Sequence, residues 1–448
     1  MDFFLFWPNY EKIRAAGFAN LAHIPCVFDG EWRYHSVGSS YLKARAFAEV
    51  TSSGGRPMLV RIRYPSRLSL RTFGEMLVNF LEWCDVKGKL WQTLDYTEGI
   101  VFGYQRDMSD GSWSVRGEPL MPNTINTRVM EACRFLEWAA SIGARKPFDV
   151  PRLPAVVDVS SPTSTRKRNR RIVLIRAGAV RPHPMILRIP TDEEIAHWLR
   201  SVRFESGVTK ALMCELVMAT AIRREEVVQW QVDTLPVKQE EWVIAGDYVT
   251  VAIRHGTKGP KLFESTHESI GPTRYIQVPL SVATCLHEYR QRVRPKLLSR
   301  YVSAASSVHE KRQRMLNATK RLFLSDYTGE PVSAHRFYLA WAHASVVPFR
   351  GWSPHGGRHW WVCKTLLQMC SLRIASNSLN PTYGDVDGPL SATAEDLLRT
   401  LIKPQLGHVS ERATEAYLVW LRQVVSSASL SDDYEKALES VVEAAEDG

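Results

Sequence analysis

The hydrophobic pattern changes its period along the chain, and the first change comes near residue 66. Residues 1–65 mix aromatic and turn residues and show no clean period. Over residues 66–146, apolar residues recur at helical spacing, as in the series Phe73, Met76, Leu77, Phe80 and Leu81. The pattern therefore predicts an N-terminal extension of unclear role, followed by a helical domain.

Residues 147–189 interrupt this helical pattern. The segment is rich in proline and carries a basic run formed by Arg166, Lys167, Arg168, Arg170 and Arg171. Proline-rich chain favours extended conformations, so the segment is predicted to be a linker. The basic run is either a solvated charge cluster or a stretch that lies along a phosphate backbone.

Helical patterns resume over residues 190–426. Thr191 and Glu194 have the spacing of a capping box, which predicts a helix start. Segments 242–254 and 275–278 alternate between apolar and polar residues and predict strands on either side of a turn. The fold class predicted is therefore mainly α, with a helical N-terminal domain and a mostly helical second domain that contains a small antiparallel β-sheet.

Two further segments stand out within and after this second domain. Residues 371–394 are rich in Asn, Pro, Gly, Asp and Ser and are predicted to be a surface insertion. Residues 427–448 form an acidic tail with a helical pattern, which packs either on its own subunit or on a neighbouring one.

Composition adds a preference for a polyanionic partner. The 448 residues include 57 Lys and Arg against 47 Asp and Glu, a net charge of +10. Such an excess suits nucleic acid, although many basic proteins bind none. The seven cysteines are scattered without a C-x-x-C pair, as in a reducing cytoplasm. The apolar start is short and ends at Pro8, unlike a signal peptide, so we expect a cytoplasmic, nucleoid-associated protein without membrane contact.

Four separated motifs carry candidate chemistry, and two of them come early in the second domain. Arg223 lies at a predicted helix start, with Glu226 three residues later and able to hold its guanidinium. Lys258 lies in the turn between the two predicted strands, where a lysine is most often only an exposed residue.

The other two motifs follow in the C-terminal half. His355 and Arg358 are three residues apart, so both address one ligand from one helical face. His359 follows, but no glutamate follows His355 and no third ligand is evident, so no metal is expected. His408 in the sequence Leu-Gly-His precedes Tyr417 by nine positions.

In this order and spacing, the motifs resemble those of the tyrosine recombinase (phage integrase) family. The resemblance covers about residues 70–430 and implies a core-binding domain that clamps DNA, a linker and a catalytic domain. It implies that the catalytic residues are Arg223, Lys258, His355, Arg358, His408 and Tyr417. The chain departs from the family at Ala221, where Gly is usual, at Gly357, where Leu is common, and in the long interval from Arg358 to His408.

The chemistry of a phosphodiester explains why these residue types are wanted. Guanidinium groups of Arg223 and Arg358 would stabilise the charge on the non-bridging oxygens. His355 would accept the proton of the nucleophile Tyr417, and Lys258 would protonate the leaving 5′-oxygen. His408 would donate a hydrogen bond to a non-bridging oxygen. No cofactor is needed, because the phosphotyrosyl bond conserves the energy for rejoining.

The resemblance thus implies a site-specific recombinase or integrase that acts on double-stranded DNA. It also implies a homo-tetramer on two DNA sites, with accessory DNA-bending or partner recombinase proteins as possible companions. Two alternatives stay open at this stage: a type IB topoisomerase-like enzyme that relaxes DNA as a monomer, and a relative that binds DNA without catalysis.

Overall fold

The chain forms two compact units that divide between Pro184 and Met185, inside the predicted linker 147–189. The computed structural model describes residues 2–18, 21–47, 65–159, 169–183, 186–258, 270–376, 393–407 and 413–424.

The first unit combines helices with two small antiparallel sheets. Its strands are β1 (Phe4–Phe6), β2 (Cys26–Phe28), β3 (Arg152–Val159) and β4 (Asn169–Arg176), paired as β1–β2 and β3–β4. Its helices are α1 (Tyr10–Ala15), α2 (Ser36–Ala46), α3 (Arg67–Val86), a π-helix (Tyr96–Gln105), α4 (Arg106–Ser109) and α5 (Pro122–Ser141).

The N-terminal segment and the helical domain share one hydrophobic core, although the sequence pattern separates them near residue 65. Val27 of β2 and Leu42 of α2 are fully buried in the same cluster as Phe80 of α3 and Phe135 of α5. The sequence pattern conceals this because the elements of the N-terminal segment are short and each contributes only a few core residues. Large buried apolar side chains nevertheless stabilise the joint core by about 1.5–3 kcal/mol each.

Part of the predicted linker is a β-hairpin that is anchored on the first unit. Strands β3 and β4 pair in antiparallel register from Arg152↔Arg176 to Val159↔Asn169. Arg176 is buried and donates to Gln105 Oε1 at 2.6 Å and to Tyr96 Oη at 2.9 Å. Backbone pairing and this hydrogen-bonded arginine give the segment an ordered structure that its proline content does not suggest.

The basic run of this segment lies largely outside the described part. The structure does not describe Arg166, Lys167 and Arg168. It places the backbone of Arg170 and Arg171 in strand β4. The proposed phosphate contacts of these five residues therefore stay a prediction.

The second unit is mostly helical around one three-stranded sheet. Its strands are β5 (Val243–Ala245), β6 (Tyr248–His255) and β7 (Ile270–Pro279). Its helices up to residue 342 are α6 (Asp192–Ser206), α7 (Val208–Thr220), α8 (Arg224–Val228), α9 (Leu280–Glu288), α10 (Arg294–Ser303), α11 (Val308–Ala318) and α12 (Ala334–Ala342). Further along are α13 (Pro354–Ser376), α14 (393–397), the π-helix Leu398–Ile402, α15 (Lys403–Leu406) and α16 (413–424). Short 3₁₀ and π segments occur at Gln239–Glu241 and Tyr289–Val293.

Helix α7 lies at the centre of this unit. Met213, Cys214, Leu216 and Val217 are all fully buried, so the helix is apolar on more than one face. The preceding helix α6 begins with the predicted capping box, in which the Thr191 side chain and the Glu194 carboxylate each accept a backbone N–H. That prediction is confirmed.

The sheet has the order β5-β6-β7 and is antiparallel throughout. The first alternating segment, predicted as one strand over 242–254, is in fact two strands joined at Gly246, which has a φ of 56°. A φ in this left-handed region suits glycine because it has no Cβ. The mainly α fold with a small antiparallel sheet is confirmed.

The predicted insertion 371–394 is shorter at both ends than its composition suggests. Helix α13 continues to Ser376, and Ala394 of α14 is fully buried in a core cluster with Leu398 and Leu406. Residues 377–392 and the acidic tail 427–448 lie outside the described part. Among the described helices, none is both long and apolar enough to cross a membrane.

Candidate active site

The turn between α7 and α8 begins the site. Ala221 ends α7 with φ 52° and ψ 29°, a left-handed conformation that costs a residue with a Cβ roughly 1–2 kcal/mol. Its buried carbonyl oxygen accepts a hydrogen bond from Nη1 of Arg358, which lies on α13. The strained turn thus binds Arg358 through its carbonyl oxygen, and Arg223 follows Ala221 by two residues.

Arg223 is held by the first turn of α8. Its backbone N–H donates to Glu226 Oε2 at 2.7 Å, and its Nη1 donates to Glu226 Oε1 at 3.0 Å. The pair anticipated from the three-residue spacing is therefore present. The Arg223 side chain is 23% exposed, whereas the Glu226 side chain is completely buried.

Arg274 on β7 also binds Glu226, and the sequence did not predict it as a residue of the site. Its Nε donates to Glu226 Oε1 at 3.0 Å and its Nη2 to Glu226 Oε2 at 2.5 Å. A signal was available: Arg274 has the same strand phase as the buried Ile276 and Val278, so a charged residue occupies a core-facing position.

The shared carboxylate stays ionised because of its partners. Burial raises the pKa of Glu226, but the hydrogen bond and charge of Arg274, together with those of Arg223, outweigh burial and lower it. One buried negative charge thus serves two arginines, and a third arginine lies beside them. The site therefore has an excess of positive charge, which suits an anionic ligand.

That third arginine, Arg358, is buried among backbone carbonyls. Besides Ala221, its guanidinium donates to the carbonyl oxygen of Leu406 at 3.4 Å. Burial, and then the positive charge of Arg223, lowers the pKa of Arg358 to about 10. The side chain therefore remains a cation at neutral pH.

Gly407 allows the arginines to approach the loop that precedes His408. It has a φ of 76°, and a Cβ built there would lie 2.9 Å from Arg274 Cδ and 3.5 Å from Arg223 Nη1. The Leu-Gly-His motif therefore needs glycine both for its backbone conformation and for space.

Tyr417 lies on α16 and is buried, with 3% of its surface exposed. Its hydroxyl is 2.8 Å from Nδ1 of His359 on α13. Burial, and then the Cys363 thiol nearby, raises the pKa of Tyr417. The phenol therefore keeps its proton in the free protein.

His355 and His359 differ in their surroundings. The sequence assigns the Tyr417 proton to His355, whereas the structure places His359 against the hydroxyl and leaves His355 exposed. The two imidazole rings meet edge to face, 4.4 Å between centroids. Burial, then His355 and Arg358, lowers the pKa of His359 to about 4. Loss of part of its surrounding water, and then the charges of Arg358 and Arg223, also lower the pKa of His355.

Lys258 stands apart as an exposed residue after β6. Gly256, two residues earlier, is packed on α8: a Cβ built there would lie only 2.4 Å from the carbonyl oxygen of Glu225. The start of this loop is therefore anchored beside Arg223. His408 lies outside the described residues, so its predicted role is not tested.

The described residues thus bring together Arg223, Glu226, His355, Arg358 and Tyr417 from the sequence prediction, and they add Arg274 and His359. Within this part of the chain, no group of three or more His, Cys, Asp or Glu side chains is placed to hold a metal ion.

Comparison with known proteins gives a likeness at the level of solved structures. The chain is similar to solved tyrosine recombinases. They include the XerH site-specific recombinase in a post-cleavage complex with palindromic difH substrate, at 14% identity and a TM-score of 0.45, covering 81% of this chain and 80% of that one. The Tn1549 transposon integrase with circular intermediate DNA has 12% identity and a TM-score of 0.41, over 85% and 98% of the two chains.

A lambda integrase dimer bound to a COC′ core site has 12% identity and a TM-score of 0.40, over 86% and 94% of the two chains. No protein-family model and no curated protein matches the sequence. At these identities and TM-scores the likeness supports no conclusion about function. The function is therefore argued from the geometry of the site.

Proposed function

We propose that this protein is a site-specific DNA recombinase or integrase that cleaves and rejoins DNA through a 3′-phosphotyrosyl intermediate at Tyr417. The observation that carries the proposal is a cluster in which two arginines bind one buried carboxylate, a third arginine lies beside them, and a tyrosine hydroxyl contacts a histidine. A phosphodiester supplies the negative charge that this cluster lacks, and a phenol hydroxyl is a competent nucleophile towards phosphorus.

The residues divide the reaction between them. Arg223 and Arg358 bind the non-bridging oxygens, and Arg274 holds the carboxylate that orients Arg223. Tyr417 attacks phosphorus and the 5′-oxygen leaves, with Lys258 as the proton donor and His408 as a further donor to a non-bridging oxygen. Rejoining is the reverse attack by a 5′-hydroxyl, so no external energy source is needed. The first unit clamps the DNA, and a tetramer brings two sites together.

Trapping of the covalent intermediate tests this function. Nicked duplexes built from the DNA that flanks the gene are incubated with the protein, because loss of the short strand beyond the nick prevents rejoining. We expect a protein–DNA adduct on denaturing electrophoresis, with the peptide around Tyr417 carrying the 3′-phosphate. Relaxation of unrelated supercoiled plasmid without site preference would favour a type IB topoisomerase-like activity instead, and binding without any adduct would favour an inactive relative.

The role of Lys258 is tested by changing the leaving group. Lys258→Ala should slow cleavage of ordinary DNA, by about 10²–10⁴-fold for a lost general acid. A bridging 5′-phosphorothiolate leaves without a proton, so this substrate should rescue Lys258→Ala in single-turnover assays. Arg358→Ala is the matched control and should be rescued little, because this arginine serves the non-bridging oxygens. Lys261, three residues further along the chain, is the alternative donor. Equal lack of rescue would remove Lys258 from the role, and selective rescue of Lys261→Ala would assign the role to Lys261.

The basic run is tested by the salt dependence of DNA binding. Neutralising Arg166, Lys167, Arg168, Arg170 and Arg171 together should weaken specific and non-specific binding alike. The slope of log affinity against log salt should become shallower by about 0.9 for each DNA phosphate that the variant no longer neutralises. Binding that equals wild type at every salt concentration would show that the run is only a solvated tether.

A further inference from the structure

The contact between Tyr417 and His359 defines the hydrogen-bonding state of the hydroxyl. In the described part of the chain, Nδ1 of His359 is the hydrogen-bond partner of this hydroxyl, at 2.8 Å. A buried phenol needs an acceptor for its own proton. Nδ1 therefore accepts, and the proton of the neutral imidazole is on Nε2.

We propose that His359, rather than His355, receives the Tyr417 proton during cleavage, and that the phosphodiester bound at Arg358 makes this transfer favourable. The inference rests on the proposed function and deepens it. His359 directly follows Arg358 on α13, so one helical turn carries both the group that binds the phosphate and the group that touches the nucleophile.

The charges around His359 explain why the free protein does not react. The groups on α13 that act on His359 are His355 and Arg358, and the Tyr417 hydroxyl of α16 contacts its ring. Beyond Arg358 lie Arg223 and Arg274, which are only partly balanced by Glu226. Burial, and then His355 and the charge of Arg358, hold the pKa of His359 near 4. An imidazolium formed there would lose its proton at once, so the tyrosine stays protonated.

A bound phosphodiester changes this balance. Its negative charge beside Arg358 offsets the positive surplus and raises the pKa of His359. A unit charge about 6 Å away, at an effective dielectric constant of about 20, alters a protonation equilibrium on the order of 100-fold. The base therefore becomes stronger only when the bond to be cut is in place, which protects the free protein from untimely activation.

The step balances without another reactant. The Tyr417 O–H bond breaks and the proton moves to Nδ1 of His359, while the phenolic oxygen forms a bond to phosphorus. The bond from phosphorus to the 5′-oxygen breaks, and that oxygen takes a proton from Lys258. In rejoining, the imidazolium of His359 returns its proton to the departing Tyr417 oxygen, and the lysine recovers its own.

Paired asparagine substitutions separate the two histidines. In His359→Asn, the side-chain oxygen still accepts a hydrogen bond from Tyr417 but does not take up its proton. We expect single-turnover cleavage to slow by about 10²–10³-fold, within the range for a lost general base. His355→Asn, on the same helix, is the matched control and should slow cleavage less. A ring-fluorinated tyrosine at position 417, with a more acidic phenol, should restore the rate of His359→Asn and not that of His355→Asn.

The opposite results overturn the inference. His359 would be removed from the role by any of three results: wild-type cleavage rates in His359→Asn, no rescue by the acidic phenol, or rescue of His355→Asn alone. In each case an adduct formed by the wild-type protein would still support the proposed function. Absence of any adduct in wild type would instead defeat the proposed function itself.

A measurement on the intact histidine covers the case in which His359→Asn does not fold. In Tyr417→Phe, which retains His359, histidine ¹⁵N resonances are titrated with and without bound DNA. The His359 signal should titrate at higher pH in the complex, because the phosphate charge raises its pKa. An unchanged or lower titration point would overturn the proposed coupling to phosphate.

Discussion

Tyr417→Phe should abolish formation of the covalent protein–DNA adduct and leave DNA binding nearly unchanged. Binding rests on many phosphate contacts, whereas attack on phosphorus needs one hydroxyl. The measurement is denaturing electrophoresis after incubation with a nicked duplex, with affinity measured in parallel at one fixed salt concentration.

The substitution removes one buried hydrogen bond, so its effect on stability should be small. His359 loses its partner at Nδ1, at a cost of about 1 kcal/mol in the free energy of unfolding. Tyr434→Phe is the control, since Tyr434 is the next tyrosine towards the C-terminus and should leave the adduct unaffected. An adduct that persists in Tyr417→Phe and disappears in Tyr434→Phe would place the nucleophile in the tail.

Glu226→Ala should be the most destabilising single change in the candidate active site. It leaves Arg223 and Arg274 without their shared carboxylate, close to the buried Arg358. Removing one partner of a buried ion pair costs about 3–5 kcal/mol. Thermal unfolding should therefore shift downwards on the order of 10 °C for a unit of this size. Glu225→Ala next to it is the control, because that pair with Arg224 is solvent-exposed and contributes at most about 1 kcal/mol.

The pH dependence of this effect has a defined sign. The pKa of Glu226 is lower in the folded protein than in the unfolded chain. Its stabilising contribution is therefore present above the unfolded pKa and is lost as the pH falls through the folded one. The difference in unfolding free energy between wild type and Glu226→Ala should shrink in acid. A difference that is constant from neutral to acidic pH would show that packing, and not the charge of Glu226, holds the arginines.

Ala221 and Gly357 are two positions at which this sequence departs from the tyrosine recombinase pattern that it resembles. Ala221 has a left-handed backbone conformation, at a position where the pattern that the sequence resembles usually has glycine, and so it carries backbone strain beside Arg358. At Gly357, where that pattern commonly has leucine, other residues fill the space around the Cα atom. A Cβ there would lie 2.7 Å from the Trp341 ring and 2.9 Å from Met218 Sδ. Such compensation involves residues far away in the sequence, so composition and spacing do not reveal it.

Local features of the chain were determined by the sequence itself. The capping box at Thr191, the helical periodicity around Phe80 and the pairing of Arg223 with Glu226 all depend on residues within one or two turns. Such features can be predicted from the sequence because helical spacing fixes which side chains are neighbours.

Only the tertiary structure decided how distant residues share partners. Arg274 reaches Glu226 across 48 positions, and His359 reaches Tyr417 across 58. The same holds for Val27 and Leu42, which join the core formed by α3 and α5. These contacts are set by how helices and strands pack, and packing depends on the combined shape of many side chains rather than on any periodic pattern. The sequence alone therefore identified most of the residues that meet at the candidate site, and packing selected which histidine contacts the tyrosine.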